Sequence, residues 1–166
     1  MLVTLGPEAG LGFSNFCNES GDTISCAPVQ GRLGLQGRAA VFVTDRLAVG
    51  LSGATIQLPS QPYNMWTGAA LVRGQTKAER GQGAWWSAEL GVLVVPDLEV
   101  RNFGMRSRFG PHFGAAFGQT WNPYADAVVG YQFFGAVSFF SDDDKLTNRF
   151  ETITWIGVAI DIGCIF

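Results

Sequence analysis

The chain has one histidine, His112, and it is the first candidate for catalysis. It lies in "RFGPHFG", shortly after Ser107, and a histidine that takes a proton from a serine can activate that serine as a nucleophile. Such a base also needs a third group to orient it, and no GxSxG or HExxH motif occurs. The sequence therefore predicts no enzyme, with a lipid-modifying enzyme left as an alternative that rests on this histidine.

The three cysteines fall into two groups. Cys17 and Cys26 bracket a polar segment, and in an oxidising compartment we expect them to form a disulfide, with free thiols as the alternative. Cys164 lies in an apolar segment at the end of the chain. We expect it to act as a small apolar residue that joins neither of the other two.

Three consecutive carboxylates, Asp142, Asp143 and Asp144, could bind a divalent cation at a lipopolysaccharide surface. Consecutive acids rarely all face one ion, however, and the spacing of a calcium-binding loop is absent. The sequence thus predicts a solvated loop here, and neither a metal site nor a cofactor elsewhere.

The composition limits the elements that could position these residues. Of the 166 residues 47% are hydrophobic and only 15% are charged, against about 25% charged in a typical soluble domain. The formal net charge is -3, which excludes a basic nucleic-acid binder. No apolar run approaches the length of a membrane-spanning helix; "GVLVV" is one of the short ones. We expect a single domain over 1–166, which lacks a complete signal peptide and would be a mature or truncated form of an exported protein.

Alternation with a period of two dominates the chain, which is typical of β-strands. Strands are predicted at 7–16, 30–43, 46–57, 84–95, 98–107, 111–121, 124–140 and 149–166. Tight turns are predicted at 44–46, 96–97 and 122–126, and longer polar connections between the other strands. Residues 58–83 are predicted to form one long excursion; the alternative is a strand within it, with 98–121 merging into one strand. Eight strands joined by alternating short and long connections favour an up-and-down barrel.

The residue types on the two faces indicate which face points outward. One face of the last strand is apolar, whereas the other carries Gly157, Ala159, Asp161 and Gly163. Small residues fit the narrow interior of an eight-stranded barrel, so the apolar face should contact lipid. Aromatic pairs near the strand ends, including Trp85 with Trp86, fit the two membrane interfaces. The inverse arrangement, a soluble lipocalin-like carrier of a hydrophobic ligand, is the principal alternative.

The segment "WIGVAIDIGCIF" ends on an aromatic residue, and in this it resembles the last strand of bacterial outer-membrane β-barrels. The resemblance implies an assembly signal that includes Trp155, Ile162 and Phe166 and is read by the barrel assembly machinery. It implies a location in the bacterial outer membrane, with lipid and lipopolysaccharide around the barrel. The predicted fold is all-β: a closed antiparallel up-and-down transmembrane β-barrel. Closure also follows from physics, because backbone amides in hydrocarbon all need partners.

Charged residues of both signs occur at the predicted inward positions, and we expect them to neutralise one another in a polar network. Its members are Glu8, Arg32, Arg38, Glu89, Asp126 and Asp161. Since eight strands leave an interior just wide enough for side chains, this network should fill the barrel. The predicted function is that of a monomeric outer-membrane β-barrel with a structural or surface-interaction role and a lumen closed by side chains.

Overall fold

The computed structural model describes most of the chain. The described residues are 1–14, 17–20, 23–26, 29–57, 64–77, 79, 81–99, 104–124, 126–141 and 150–166. Within these ranges the side chains of residues 14, 17–20, 23–26, 96–99, 104–108, 140–141 and 150–151 are not described. No helix in this part of the chain is long and apolar enough to cross a membrane.

Eight antiparallel strands form a closed barrel, and a small hairpin lies outside it. The barrel strands are β1 (Leu2–Ser14), β4 (Val29–Phe42), β5 (Leu47–Gln57), β6 (Asn64–Gln75), β7 (Gly83–Glu99), β8 (Gly104–Trp121), β9 (Ala127–Ser141) and β10 (Phe150–Ile165), and the hairpin is β2 (Cys17–Ser20) with β3 (Thr23–Cys26). Around the barrel the order is β1-β10-β9-β8-β7-β6-β5-β4, so β1 and β10 close the sheet. The predicted fold and the predicted number of strands are confirmed.

The excursion predicted over 58–83 is wrong, because β6 lies within it and pairs with β5 on one side and β7 on the other. The turn predicted at 96–97 is also wrong: Pro96 pairs with Ser107, and the ladder continues to Glu99 opposite Gly104. Residues 104–121 form one strand, which agrees with the merged strand of the alternative from 104 onward, whereas residues 98 and 99 belong to β7. The two errors compensate in the strand count, since one strand is gained and two predicted strands merge.

The two ends of the barrel differ. At one end, the turn end, β4–β5, β6–β7 and β8–β9 are joined by short connections, and Met1 meets Phe166 through a hydrogen bond of 2.8 Å from the Phe166 N–H to the Met1 carbonyl. The other, the loop end, carries the connections β1–β4, β5–β6, β7–β8 and β9–β10. The two longest connections, residues 15–28 and 142–149, lie at the loop end. Long loops on one side are typical of outer-membrane barrels, in which the opposite end, with the turns, is periplasmic.

Side chains alternate between the outside and the inside of the wall, as the period of two predicts. Consecutive residues Trp85 and Trp86 show this, because Trp85 is inside and 3% exposed whereas Trp86 is outside and 52% exposed. The expectation that both belong to an outer aromatic belt is therefore wrong for Trp85. Large apolar residues are exposed on all eight barrel strands, and they include Leu51, Leu90, Phe117, Val129, Ile156 and Val158.

Candidate functional site: the polar lumen

Charged and polar side chains meet halfway along the lumen, where strands facing one another contribute them. Glu8 on β1 and Arg32 on β4 form a buried ion pair in which Arg32 Nη2 donates to Glu8 Oε1. The guanidinium of Arg32 also lies 4.7 Å from the ring of Phe134 and 4.8 Å from that of Trp155. A buried arginine is thus neutralised by a carboxylate and enclosed by two aromatic rings, an arrangement that suits a planar cation.

A second ion pair spans the lumen from β4 to β7. Arg38 donates from Nε at 3.1 Å and from Nη2 at 2.8 Å to the same Oε1 atom of Glu89. The other oxygen of Glu89 accepts a hydrogen bond of 2.9 Å from the hydroxyl of Ser52. Arg38 Nη1 donates to Gln132 Oε1 on β9. Three walls of the barrel are therefore connected through one guanidinium.

The network continues from Gln132 to β10. Gln132 Nε2 and Gln36 Nε2 each lie 3.4 Å from Oδ1 of Asp161, which is fully buried. Closer to the turn end, Arg73 stacks on Trp85 with 4.1 Å between its Cζ atom and the ring, and it lies 3.4 Å from Thr120 Oγ1. Each of these buried charged groups has at least one polar contact, although Asp161 Oδ2 and Arg73 Nε have no hydrogen-bond partner among the described residues.

His112 lies in the same lumen, but its side chain contacts Ser138 and not Ser107, the serine considered from the sequence. Its Nδ1 atom is 2.8 Å from Oγ of Ser138 on β9, and both residues are buried. The side chain of Ser107 lies outside the described part of the structure. A lipid outside the barrel cannot reach the pair, because both residues point inward from the wall.

Little space is left among these side chains. A cavity of about 40 Å³ lies between the two ion pairs and is lined by Glu8, Arg32, Arg38, Ser52, Glu89 and His112, with other residues. Since about 10–15 Å³ of such space is enough for one water, this polar cavity is suited to only a few water molecules.

Apolar side chains fill the lumen on the loop side of the polar network. Six of them are buried and in contact, namely Ile56, Met65, Leu93, Val95, Ile153 and Trp155. Phe134 and Ala136 pack against this cluster. Trp155 is 0% exposed, so the interior at this level is packed like the core of a soluble protein.

The β6–β7 turn covers part of the lumen at the turn end. Gln75 holds this turn through its side-chain amide: Nε2 lies 3.0, 2.9 and 3.0 Å from the carbonyl oxygens of Asp45, Lys77 and Glu79. Gly81, with a φ of 72°, donates its N–H to Gln75 Oε1 at 3.3 Å. A Cβ atom at Gly81 would clash with Ile165 on β10. The turn therefore reaches from β6 to the opposite side of the barrel.

A solved structure shares this architecture over its full length. The chain matches the crystal structure of Neisserial surface protein A with a TM-score of 0.66 at 9% identity, covering 99% of this chain and 97% of that one. The N-terminal β-barrel domain of Pseudomonas aeruginosa OprF matches with a TM-score of 0.46 at 12% identity, over 96% of both chains. Ail of Yersinia pestis matches with a TM-score of 0.39 at 13% identity, over 97% and 99%. No family model and no curated protein matches the sequence.

The chain has the fold of a small outer-membrane β-barrel. The predicted fold class is confirmed, and the match extends no further than the fold. In such a barrel the exposed apolar wall faces lipid, and aromatic residues mark its two edges. Trp66 and Phe109 lie at one level near the loop end, since both are in register with Val94. Trp86, Trp121 and Tyr131 are exposed towards the turn end.

Five of the six residues predicted for the lumen network lie in the lumen of this barrel: Glu8, Arg32, Arg38, Glu89 and Asp161. The sixth does not, because Asp126 is exposed in the β8–β9 turn, where its backbone carbonyl accepts a hydrogen bond from Ile165. The strand predicted at 124–140 begins before β9 does, so the alternation of inward and outward residues does not apply to Asp126.

Three residues of the lumen are not among the predicted ones: Arg73, Gln75 and Ser138. Arg73 and Gln75 belong to the strand that the excursion concealed, and their shared parity with Leu71 is the signal that could have placed them inside.

The remaining predicted residues are placed as follows. In β10, Trp155 is inside, Ile162 is exposed on the lipid face, and Phe166 follows the strand and is 76% exposed. Cys164 is a free thiol on the exposed face.

The backbone register puts Cys17 directly opposite Cys26. Their side chains lie outside the described part, so the disulfide stays a prediction. Asp142, Asp143 and Asp144 also lie outside the described residues, among which no group of three ligating side chains could hold a metal ion.

Proposed function

We propose that this protein is a monomeric outer-membrane barrel with a structural or surface-interaction role, and that its lumen does not conduct solutes. The observation that carries the proposal is the occupation of the lumen at three successive levels. The apolar cluster around Trp155 lies at the loop end, the ion pairs lie halfway, and the turn held by Gln75 lies at the other end. A solute would have to displace all three.

The buried ion pairs favour a lumen that stays closed. The ion pairs Glu8–Arg32 and Arg38–Glu89 bring two cations and two anions together within a buried space. Removing one member of such a pair is costly, because the remaining charge stays buried without a partner. A conducting path would expose these groups or separate them, so the network resists opening and stabilises the closed wall.

The proposed surroundings are outer-membrane lipid and lipopolysaccharide, with insertion by the barrel assembly machinery. The continuous apolar exterior, with residues such as Leu51 and Val158 exposed, supports the lipid contact. Extraction tests it against a soluble carrier. The protein should remain in the membrane pellet after alkaline carbonate and enter solution only with detergent. Recovery in the carbonate supernatant would favour the carrier.

The alternative of a lipid-modifying enzyme gains little from the His112–Ser138 contact. The pair is buried on the lumen side of β8 and β9, whereas a lipid substrate would lie against the opposite side of the wall. In a hydrolysis assay on phospholipid and lipid A, the unmodified protein should release no product. The His112→Asn and Ser138→Ala variants should give the same result. Loss of a lipid-hydrolysis activity in both variants would overturn the non-enzymatic proposal.

A further inference from the structure

Two buried charges of the lumen, Arg73 on β6 and Asp161 on β10, form no ion pair among the described residues, whereas the other four charges of the lumen are paired. The two residues are only 2% and 1% exposed. Each has one buried side-chain atom without a hydrogen-bond partner in the described part of the chain, namely Arg73 Nε and Asp161 Oδ2. Since a buried charge is costly without polar contacts, another group is expected to contact these two atoms.

The strand register places the two side chains on either side of one glycine. Thr120 on β8 lies opposite Gly130 on β9, and Gly130 lies opposite Asp161. Arg73 Nη2 is 3.4 Å from Thr120 Oγ1. Neighbouring strands are about 4.8 Å apart, so the backbones of Thr120 and Asp161 are roughly 10 Å apart. Gly130 is buried between them and contributes no side chain to this interval.

The unpartnered atoms of this pair are a donor and an acceptor. The Nε–H group of Arg73 can only donate a hydrogen bond, and the ionised carboxylate of Asp161 can only accept one. Ser87, directly opposite Arg73 in the β6–β7 ladder, adds a buried hydroxyl that has no partner among the described residues. A buried water typically makes about three hydrogen bonds, and it can accept from one group and donate to another. These three side chains therefore offer the contacts that a water needs.

The charge balance of the pair disfavours an ion between the two groups. Arg73 and Asp161 carry opposite charges that cancel. A chloride ion would be attracted by Arg73 but repelled by Asp161, and for a sodium ion the reverse holds. Either ion would leave one net charge in a buried space, which is costly. A neutral molecule that both donates and accepts hydrogen bonds fits better.

We propose that one or two bound water molecules join Arg73 to Asp161 and so form a third, water-separated ion pair in the lumen. A hydrogen bond spans about 2.8 Å, so one water joins groups about 5 Å apart and two waters join groups about 7 Å apart. Neither Arg73 nor Asp161 lines the cavity of about 40 Å³. The inference goes beyond the proposed function, and the site forms no path through the barrel, because the apolar cluster around Trp155 fills the lumen on the loop side.

Nuclear magnetic resonance of the unmodified protein, folded in detergent micelles, detects the bound water directly. With ¹⁵N-labelled arginine, the Nε–H of Arg73 should show a nuclear Overhauser effect to water with the sign of a long-lived contact. The rotating-frame experiment separates this effect from proton exchange. Arg38 is the matched control, because its Nε already donates to Glu89 at 3.1 Å, and it should show no such effect. Absence of the effect at Arg73 would overturn the proposal.

Thermal unfolding distinguishes water from a bound ion. An ion that binds only the folded state raises the melting temperature as its concentration rises, whereas water gives no such dependence. Exchange of chloride for gluconate, or of sodium for choline, at constant ionic strength should therefore leave the melting temperature of the unmodified protein unchanged. A chloride-dependent rise that disappears in Arg73→Gln, or a sodium-dependent rise that disappears in Asp161→Asn, would show a bound ion and would overturn the water bridge.

A double-mutant cycle tests whether the two residues act together. Arg73→Gln and Asp161→Asn should each raise the unfolding equilibrium constant about tenfold or more, because each leaves the other charge unpaired. The double variant should raise it at least about fivefold less than the product of the single effects. Arg32→Gln combined with Asp161→Asn is the control and should match the product within about twofold. A product of single effects for Arg73 and Asp161 as well would contradict the bridge.

Discussion

Arg38 and Glu89 meet across the lumen from strands that are not neighbours, with two donor nitrogens of Arg38 at 3.1 and 2.8 Å from one carboxylate oxygen of Glu89. The contact joins two walls of the barrel that share no ladder hydrogen bonds. The contact therefore stabilises the barrel by holding distant strands together. In this respect the lumen network acts like the core of a soluble protein.

Glu89→Ala should lower the free energy of unfolding by about 3–5 kcal/mol, because Arg38 would remain buried without its carboxylate. Arg38→Met should have a similar effect, and the double variant should cost less than the sum of the two. Urea unfolding in lipid vesicles measures all three, with Glu79→Ala on an exposed turn as the control. Additive single effects would show that the two residues do not depend on each other.

Val158→Arg places a charge on the lipid face near the middle of β10, where Val158 is exposed. The cost should be about 2–4 kcal/mol if that face contacts the bilayer midplane, and close to zero if it contacts water. Thr154→Arg is the matched control, since it lies on the same face of the same strand nearer the loop end and should cost about 0–1 kcal/mol. Equal folding of Val158→Arg and the unmodified protein in lipid would reverse the assignment of the faces.

Deletion of Phe166 should reduce the assembled barrel in the membrane far more than it reduces synthesis. The side chain of Phe166 is largely exposed, so its loss removes little packing, and the expected effect is on recognition by the assembly machinery. Heat-modifiable migration on gels measures the assembled fraction in cells. Phe109→Ala, which removes an exposed aromatic residue elsewhere, should leave assembly nearly unchanged. Equal amounts of assembled protein in the deletion and the unmodified chain would remove the support for a terminal signal.

Gly81→Ala should destabilise the barrel by about 1–3 kcal/mol, because Gly81 has a positive φ and its added methyl group would meet Ile165. Gly68→Ala provides the control: no atom lies within 4 Å of the position its Cβ would take. Thermal unfolding in the same detergent compares the two. Similar melting temperatures for both variants would mean that the β6–β7 turn does not pack across the end of the barrel.

The alternation of residue types predicted the eight-strand architecture and most of the lumen because a barrel wall imposes a strict period of two. It predicted five lumen charges for this reason, since each lies well inside a strand. The alternation gave the wrong side for Asp126. This residue lies in the turn before β9, and inward and outward positions alternate only within a strand. It also placed both Trp85 and Trp86 outside, because an aromatic residue suits either a membrane interface or a packed interior.

The strand Asn64–Gln75 was hidden by its composition. Prolines, glycines and polar residues surround a short apolar stretch in 58–83, which is also how a long loop reads. Pairing on both sides identifies it as a strand, and such pairing is set by neighbours far away in sequence. The contacts of Gln75 with the β6–β7 turn and of His112 with Ser138 depend on three-dimensional register in the same way, so no local pattern could predict them.

The central claim is that the lumen is closed, and single-channel recording in planar lipid bilayers tests it most directly. Purified, heat-modifiable barrel is reconstituted at a density sufficient to observe individual insertions. Because side chains occupy the lumen at three levels and leave a cavity of about 40 Å³, the unmodified protein should show little steady conductance. A large, stable open-channel current from the unmodified protein would contradict the closed lumen and would favour a diffusion porin.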